Sequence, residues 1–392
     1  MLTEAYLQDL DRAQRPGILV GGGAYKARAA IMSFAQAHSI PVFRTWNALD
    51  VATDDHPNYA GTVGTYGGPG RNFGIQNTDL LLILGCRLSG RITGGSPQTF
   101  ARAAKKYWVD VDPHLMAEHE IAVDVRIKAT AGQFMQQLYK QHEMRSSTIR
   151  AWLVWCGARR ITYDPVKPAM LDTWHHYGFM RKLSERIPAD AIVTYDTGGN
   201  AIMMGHCFRS KAGQRIFSSN GNTPMGFSMA AAIGAWFAQP HRPIVCIIGD
   251  GGMQLNIQEL QTIKHYRIPV KVFVINNLVL GNTLSYQRVN KRPEIACSEA
   301  TGYSSPDFCK VAEAYGLNAV RIESYDDMHL ADMALMSKVP VVVDVVDADR
   351  CDYEPRISRF DLPIEDAYPY LHRDEFRAQL LIDPMPGWER NV

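Results

Sequence analysis

Three absences narrow what this sequence can encode. Its seven cysteines, at positions 86, 156, 207, 246, 297, 309 and 351, contain no C-x-x-C pair. An odd, scattered set excludes a disulfide framework and a zinc ribbon, and fits a reducing compartment. There is no surplus of either charge: 41 Lys and Arg face 40 Asp and Glu, a formal +1. Electrostatics therefore give no reason to expect a nucleic acid or an anionic membrane as partner. No run approaches the roughly 18 apolar residues of a spanning helix. The opening stretch MLTEAYLQDLDRAQRPG is acidic and amphipathic, without the basic start and apolar run of a signal peptide. A soluble, cytoplasmic protein is expected. What is present is bulk, since 392 residues that are 46% hydrophobic can fill two or three cores.

Short β-branched runs alternate with helical stretches, the pattern of α/β domains built on doubly wound parallel sheets. The first series runs through Gly17–Val20, Ile40–Phe43, Asp79–Gly85 and Tyr107–Asp112, with a helix expected over Ala24–Ala37. Such runs are nearly continuous in apolar residues because helices cover both sheet faces. A domain over 1–139 is expected. From 140 to 172 the chain turns polar and rich in Trp and Arg, which reads as an ordered linker. A second series follows over 173–348, through Ala191–Asp196, Pro243–Asp250, Val270–Asn277 and Pro340–Val346. The tail, 349–392, is rich in Pro and charge and reads as an extended arm. No internal repeat or low-complexity tract is found.

Chemistry concentrates at four strand ends of the second series, the carboxyl edge where open α/β sheets bind ligands. Asp196-Thr197-Gly198-Gly199-Asn200-Ala201 sets two glycines at a strand-to-helix turn, where backbone N–H groups can approach an anion. Ser219 to Gly226 leads into a helix of small residues. Gly249-Asp250-Gly251-Gly252 and Asn276-Asn277 end the next two strands. Taken singly, the first of these is an ordinary turn with an N-capping Asp, and an Asn-Asn pair is turn chemistry. One strand–helix–strand crossover apart, Asp250 and Asn277 place a carboxylate and an amide oxygen side by side. Hard oxygen ligands of that kind suit Mg²⁺ or Ca²⁺ completed by phosphate oxygens.

The stretch from Gly249-Asp250-Gly251-Gly252 to Asn276-Asn277 resembles the thiamine-diphosphate motif of thiamine-dependent enzymes. Met225-Gly226-Phe227, Asn256–Ile263 and Gly302–Phe308 resemble the acetolactate synthase-like branch. The resemblance covers nearly the whole chain. It implies that Asp250, the Asn277 side chain and the Val279 carbonyl hold Mg²⁺ against the diphosphate of thiamine diphosphate. Gly199, Asn200 and Ala201, with Gly249, Gly251 and Gly252, would line the cofactor. Met225 would wedge it into its bent form, and the Thr223 carbonyl would accept from its pyrimidine amino group.

In the first half, Gly21-x-Gly23 lacks the third glycine of a dinucleotide fingerprint, because Lys26 stands there. The stretch Gly85-Cys86-Arg87-Leu88-Ser89-Gly90-Arg91-Ile92-Thr93-Gly94 instead resembles the family's flavin-binding segment. Two arginines four apart can grip a diphosphate. The resemblance implies an FAD site lined by Gly22, Gly23, Thr45, Asn47, Tyr66, Gly85, Arg87, Arg91 and Asp110, with flavin as a structural cofactor. Ser89-Gly90 replaces the family's acidic pair.

The family's pyrimidine-binding domain, with its catalytic glutamate, has no counterpart in the sequence. A separate small subunit supplying it is expected, in a hetero-oligomer of two or more of each chain. The implied activity is decarboxylation of a 2-keto acid such as pyruvate and transfer of the acyl unit to an acceptor carbonyl. A split 2-keto acid decarboxylase and a non-catalytic, cofactor-binding regulatory subunit are the alternatives. Tyr286 stands where the family has a Trp shaping the acceptor pocket, which implies a bulkier or more polar acceptor. His175-His176, His114 and His119 read as surface or packing residues.

Overall fold

The computed structural model describes residues 2–138, 147–219 and 221–389. It divides into two compact units, residues 1–165 with 354–392, and residues 166–353. Among the described residues the first unit has six parallel strands: β1 (Pro16–Val20), β2 (Val42–Arg44), β3 (Tyr59–Thr62), β4 (Leu80–Leu84), β5 (Lys105–Asp110) and β6 (Val125–Lys128). Their order is β3-β2-β1-β4-β5-β6, so the order reverses between β1 and β4. The second unit has β7 (Ile192–Tyr195), β8 (Arg215–Phe217), β9 (Ile244–Gly249), β10 (Lys271–Asn276), β11 (Asn318–Ile322) and β12 (Val341–Val346). Their order is β11-β12-β10-β9-β7-β8, and its reversal lies between β7 and β9. Both are doubly wound α/β sheets, as expected.

The central strands follow from composition. Every residue of Leu-Leu-Leu-Ile-Leu in β4 is buried, and so is every residue of β10. Each fully buried Leu, Ile, Val or Phe among them contributes about 1.5–3 kcal/mol on leaving water. Trp108 in β5 is fully buried, with its indole N–H donating to the Cys86 carbonyl at 2.9 Å. The seven cysteines are free thiols. No described helix is long and apolar enough to cross a membrane.

The structure sets the divisions elsewhere than the composition suggests. The end of the first expected domain, at 139, and the start of the expected linker lie outside the described residues. Ser147–Thr162, inside that linker, is a helix of the first unit. Its Trp152 and Cys156 are buried, and the Trp152 indole donates to the Pro16 carbonyl at 2.9 Å. A stretch polar in sum thus carries an apolar face. The tail beyond Glu354 belongs to the first unit as well. There Glu365 is buried against Arg102 and Gln76, each at 2.6 Å, and Phe376 packs on Phe73. The helix expected over Ala24–Ala37 opens as a 3₁₀ turn, Gly22–Ala27, and is α-helical only over Arg28–Ala37.

Candidate functional site

The reversal point of the second sheet opens into a cavity of about 300 Å³. Its floor is made by the ends of β7, β9 and β10, where Asp196, Gly249-Asp250 and Asn276-Asn277 leave the strands. A switch in strand order splays the following loops to opposite faces and leaves a crevice at the carboxyl edge.

The two asparagines divide their work. Asn276 is a fold residue: its amide donates to Asp344 at 2.9 Å, and its oxygen accepts from Ser305 at 3.1 Å and from the Leu278 N–H at 3.3 Å. Asn277 faces the cavity. Its Nδ2 donates to the Arg350 carbonyl at 2.6 Å, which leaves Oδ1 as the ligand atom. Asp250 opens the helix Asp250–Leu255 and is only 4% exposed. One carboxylate oxygen accepts from the Gly251 N–H at 2.9 Å, while Oδ2 is buried without a hydrogen-bond partner. Tyr303 stands beside it, near enough to favour ionisation slightly but outside hydrogen-bond geometry to Oδ2. Burial dominates and pushes the Asp250 carboxyl up to about 6. A buried carboxylate oxygen and a buried Asn200 Oδ1, both without partners, are what a site built for a cation and its phosphate ligand shows.

A clasp positions the rest. Asp196, 2% exposed, accepts from the Thr197 N–H and the Gly226 N–H, both at 2.7 Å. Asn256 donates to the Gly226 carbonyl at 2.9 Å. Gly226 is left-handed (φ +85°), and the clasp sets Thr223 and Met225 on the cavity wall. Met225 remains 40% exposed, and its Cε occupies space that a side chain at Gly251 would need.

The cavity gathers Gly199, Asn200, Thr223, Met225, Gly249, Asp250, Gly251, Gly252, Asn277 and Val279. Ala201, buried in the helix Gly199–His206, is not among its lining residues. Tyr286 also lies outside the lining, 53% exposed on the helix Gly281–Val289, with the Arg292 guanidinium 5.7 Å from its ring. His176, Asp347, Arg350 and Tyr353 line the cavity and were not singled out as site residues. A histidine pair and a charged stretch after the last strand carry no motif, so only the fold could bring them here. Of the surface or packing roles expected for His175 and His176, burial selects packing, with His176 also on the cavity wall.

In the first unit, Thr45, Tyr66, Gly85, Arg87, Arg91 and Asp110 follow or end β2, β3, β4 and β5 on one carboxyl edge. Arg87, Arg91, Gly22, Gly23 and Asn47 are exposed. Arg91 stands 6.0 Å from the Tyr66 ring. The N–H groups of Gly21 and Gly23 donate to the carbonyls of Leu84 (3.0 Å) and Gly85 (3.1 Å). That glycine turn closes β1 onto β4 instead of offering a row of free donors.

Residues 196–345 match the model of the C-terminal thiamine pyrophosphate-binding domain of thiamine pyrophosphate enzymes, and residues 3–138 match their central domain. The acetolactate synthase isozyme 2 large subunit of Escherichia coli (strain K12) is 31% identical, over 88% of this chain and 62% of that protein. The large subunit from Parasynechococcus marenigrum (strain WH8102) is 31% identical over 87% of this chain and 55% of its own length. The acetolactate synthase of Arthrospira platensis is 30% identical over 93% and 62%. The chain therefore spans little more than half the length of these relatives. With both domain models matched in order and the cavity built from the motif residues, the chain belongs to the acetolactate synthase-like family of thiamine-diphosphate-dependent enzymes.

Proposed function

We propose that this chain is the cofactor-holding large subunit of a carboligase that decarboxylates a 2-keto acid, pyruvate in the first instance, and transfers the acyl unit to an acceptor carbonyl. The observation that carries the reading is the buried, unpartnered Asp250 Oδ2 beside Asn277 at the strand-order reversal. Asp250, Asn277 and the Val279 carbonyl would hold Mg²⁺, with Gly199 and Asn200 on the diphosphate. Thiamine diphosphate, when bound, supplies the nucleophilic carbon and the electron sink for loss of CO₂. The chain's own contribution is position and dryness. Met225, Thr223 and Leu280 line the cavity wall, where Met225 would press on the cofactor, the Thr223 carbonyl would accept a hydrogen bond from the pyrimidine amino group, and Leu280 would keep that side apolar.

No glutamate is found among the described residues lining the cavity. The proton carrier for the cofactor ring therefore comes from elsewhere, in this reading from a small subunit with the pyrimidine-binding domain, in a hetero-oligomer. Tyr286 then faces the acceptor in the assembled site and selects one larger or more polar than a second pyruvate. Arg87 and Arg91 grip FAD in the central domain as a structural group.

The test is titration of the purified chain with thiamine diphosphate and Mg²⁺, followed by a 2-keto acid. Mg²⁺-dependent binding without CO₂ release is expected. Absence of binding would overturn the cofactor role, and sustained turnover by the homogeneous chain would overturn the need for a partner.

A further inference from the structure

The segment Asp347–Tyr353 is tied to the metal-site turn by its backbone. The Asp347 N–H donates to the Asn276 carbonyl at 3.0 Å, the Asp349 N–H to the Asn277 carbonyl at 2.9 Å, and the Arg350 carbonyl accepts from Asn277. These bonds hold Arg350 and Tyr353 at the cavity. The Tyr353 hydroxyl lies between Gly199 and Gly281, the first residues of two helices whose N-termini open on the cavity. A Cβ at either glycine would collide with it. The glycines thus make room for a hydroxyl at the point where helix N–H groups face an anion.

Arg350 carries the one guanidinium or ammonium among the described lining residues, against the carboxylates of Asp196, Asp250 and Asp347. Its Nε is buried without a hydrogen-bond partner, and it stands 3.5 Å from Asp347 Oδ2. His176 is 5% exposed and lines the same cavity with neither ring nitrogen hydrogen-bonded. Its Nδ1 stands 3.4 Å from Asp347 Oδ2, an ion-pair distance without hydrogen-bond geometry. Its ring lies edge-on to Tyr353 at 5.8 Å.

His175, His176 and Asp352 stand close enough together to suggest a transition-metal site. The tautomer argues otherwise. His175 Nδ1 accepts the Tyr177 N–H at 3.0 Å, so Nε2 keeps its proton and faces Asp352 at 3.5 Å. His175 is a brace, and the unpartnered nitrogens of His176 are left for the cavity.

We propose that Arg350, Tyr353 and His176 form a second phosphate-binding edge, which holds the cofactor's diphosphate opposite the metal ligands. The proposal rests on the reading of this cavity as the thiamine-diphosphate site. A diphosphate ester outweighs the charge of one divalent cation, and Arg350 is the lining cation that offsets part of the excess. Tyr353 and His176 donate to phosphate oxygens that helix N–H groups do not reach.

The test uses the full chain with Mg²⁺ and three probes by calorimetry: thiamine diphosphate, inorganic pyrophosphate and thiamine. Tyr353→Phe is expected to weaken both phosphate probes about tenfold, as loss of one hydrogen bond to a charged group does. Arg350→Gln is expected to weaken them about tenfold or more and to flatten the salt dependence, with Arg350→Lys between it and wild type. Thiamine affinity and ligand-free melting temperature should not move. Variants that bind the phosphate probes as wild type does, or more tightly, would overturn the proposal, the second result marking the segment as an obstacle. If wild type itself binds neither phosphate probe, the assignment of the whole cavity falls and this edge falls with it.

Discussion

Each unit buries a charge, and the two are treated in opposite ways. Arg44 in the first unit is 1% exposed and fully engaged. Its guanidinium donates to Thr62 Oγ1 (3.0 Å), the carbonyls of Leu49 (3.1 Å) and Ala52 (2.6 Å), and Asp54 (2.8 Å), and it lies over the Tyr59 ring. These partners, with the Asp54 charge foremost among those that favour the cation, hold its pKa up against burial. Asp250 in the second unit is nearly as buried but keeps one oxygen unpaired, and burial raises its carboxyl to about 6. A buried charge with every partner present is architecture. A buried charge with a partner missing points to a ligand that completes it.

The comparison breaks most visibly at Asp250. Altering groups that only support metal ligands costs roughly 10–100-fold in affinity, so Asp250→Ala should weaken Mg²⁺–thiamine diphosphate binding by at least about 100-fold in calorimetry. The same change should not unfold the chain. Because the folded pKa is raised, the unfolded state ionises first. The ligand-free second unit therefore loses stability as pH climbs from about 4 to about 6. Asp250→Ala should remove that slope and stabilise the metal-free chain at pH 7 by about 1–2 kcal/mol. Denaturant melts at pH 4.5 and 7 check both points, and a variant that is less stable at pH 7 would mean that Asp250 serves the fold.

Arg44→Met should show the reverse. It leaves Asp54 without its guanidinium and two carbonyls without a donor, at a cost of about 3–5 kcal/mol to the first unit. Affinity for Mg²⁺–thiamine diphosphate should stay within about twofold, as independent sites do. Loss of affinity together with stability would show that the two buried charges are not separable.

How much of this was legible follows from where each strand lies. All eight strands anticipated from apolar runs, β1, β2, β4, β5, β7, β9, β10 and β12, are interior to their sheets. The four that were not, β3, β6, β8 and β11, are the four edges. An interior parallel strand is covered on both faces and reads as a continuous apolar run, whereas an edge strand is not obliged to. Val125–Lys128 buries one residue of four and Asn318–Ile322 one of five, and Tyr59–Thr62 is buried but has the small Ala60 and Gly61 at its centre. Asp250 and Asn277 were legible as cavity residues because a motif fixes them to strand ends. His176, Arg350 and Tyr353 were not, because they reach the cavity through the packing of two segments that leave no local pattern.

The smallest effect is expected where the first unit's carboxyl edge meets solvent. Arg87 and Arg91 are exposed to solvent. An exposed arginine that contacts nothing buried contributes within about 0.5 kcal/mol to stability, so Arg91→Ala should leave the melt of the chain unchanged. If the pair grips a flavin diphosphate, the same variant should still lose one charge-assisted contact and weaken FAD by about tenfold. Flavin fluorescence quenching on titration reads this directly. The N–H groups of Gly21 and Gly23 are already taken by Leu84 and Gly85, so the arginines must carry more of the grip than in a glycine-rich phosphate loop. A double variant, Arg87→Ala with Arg91→Ala, should therefore abolish binding altogether. Undiminished FAD affinity in the double variant would place the flavin elsewhere, and no affinity in the wild type would leave this edge a scaffold.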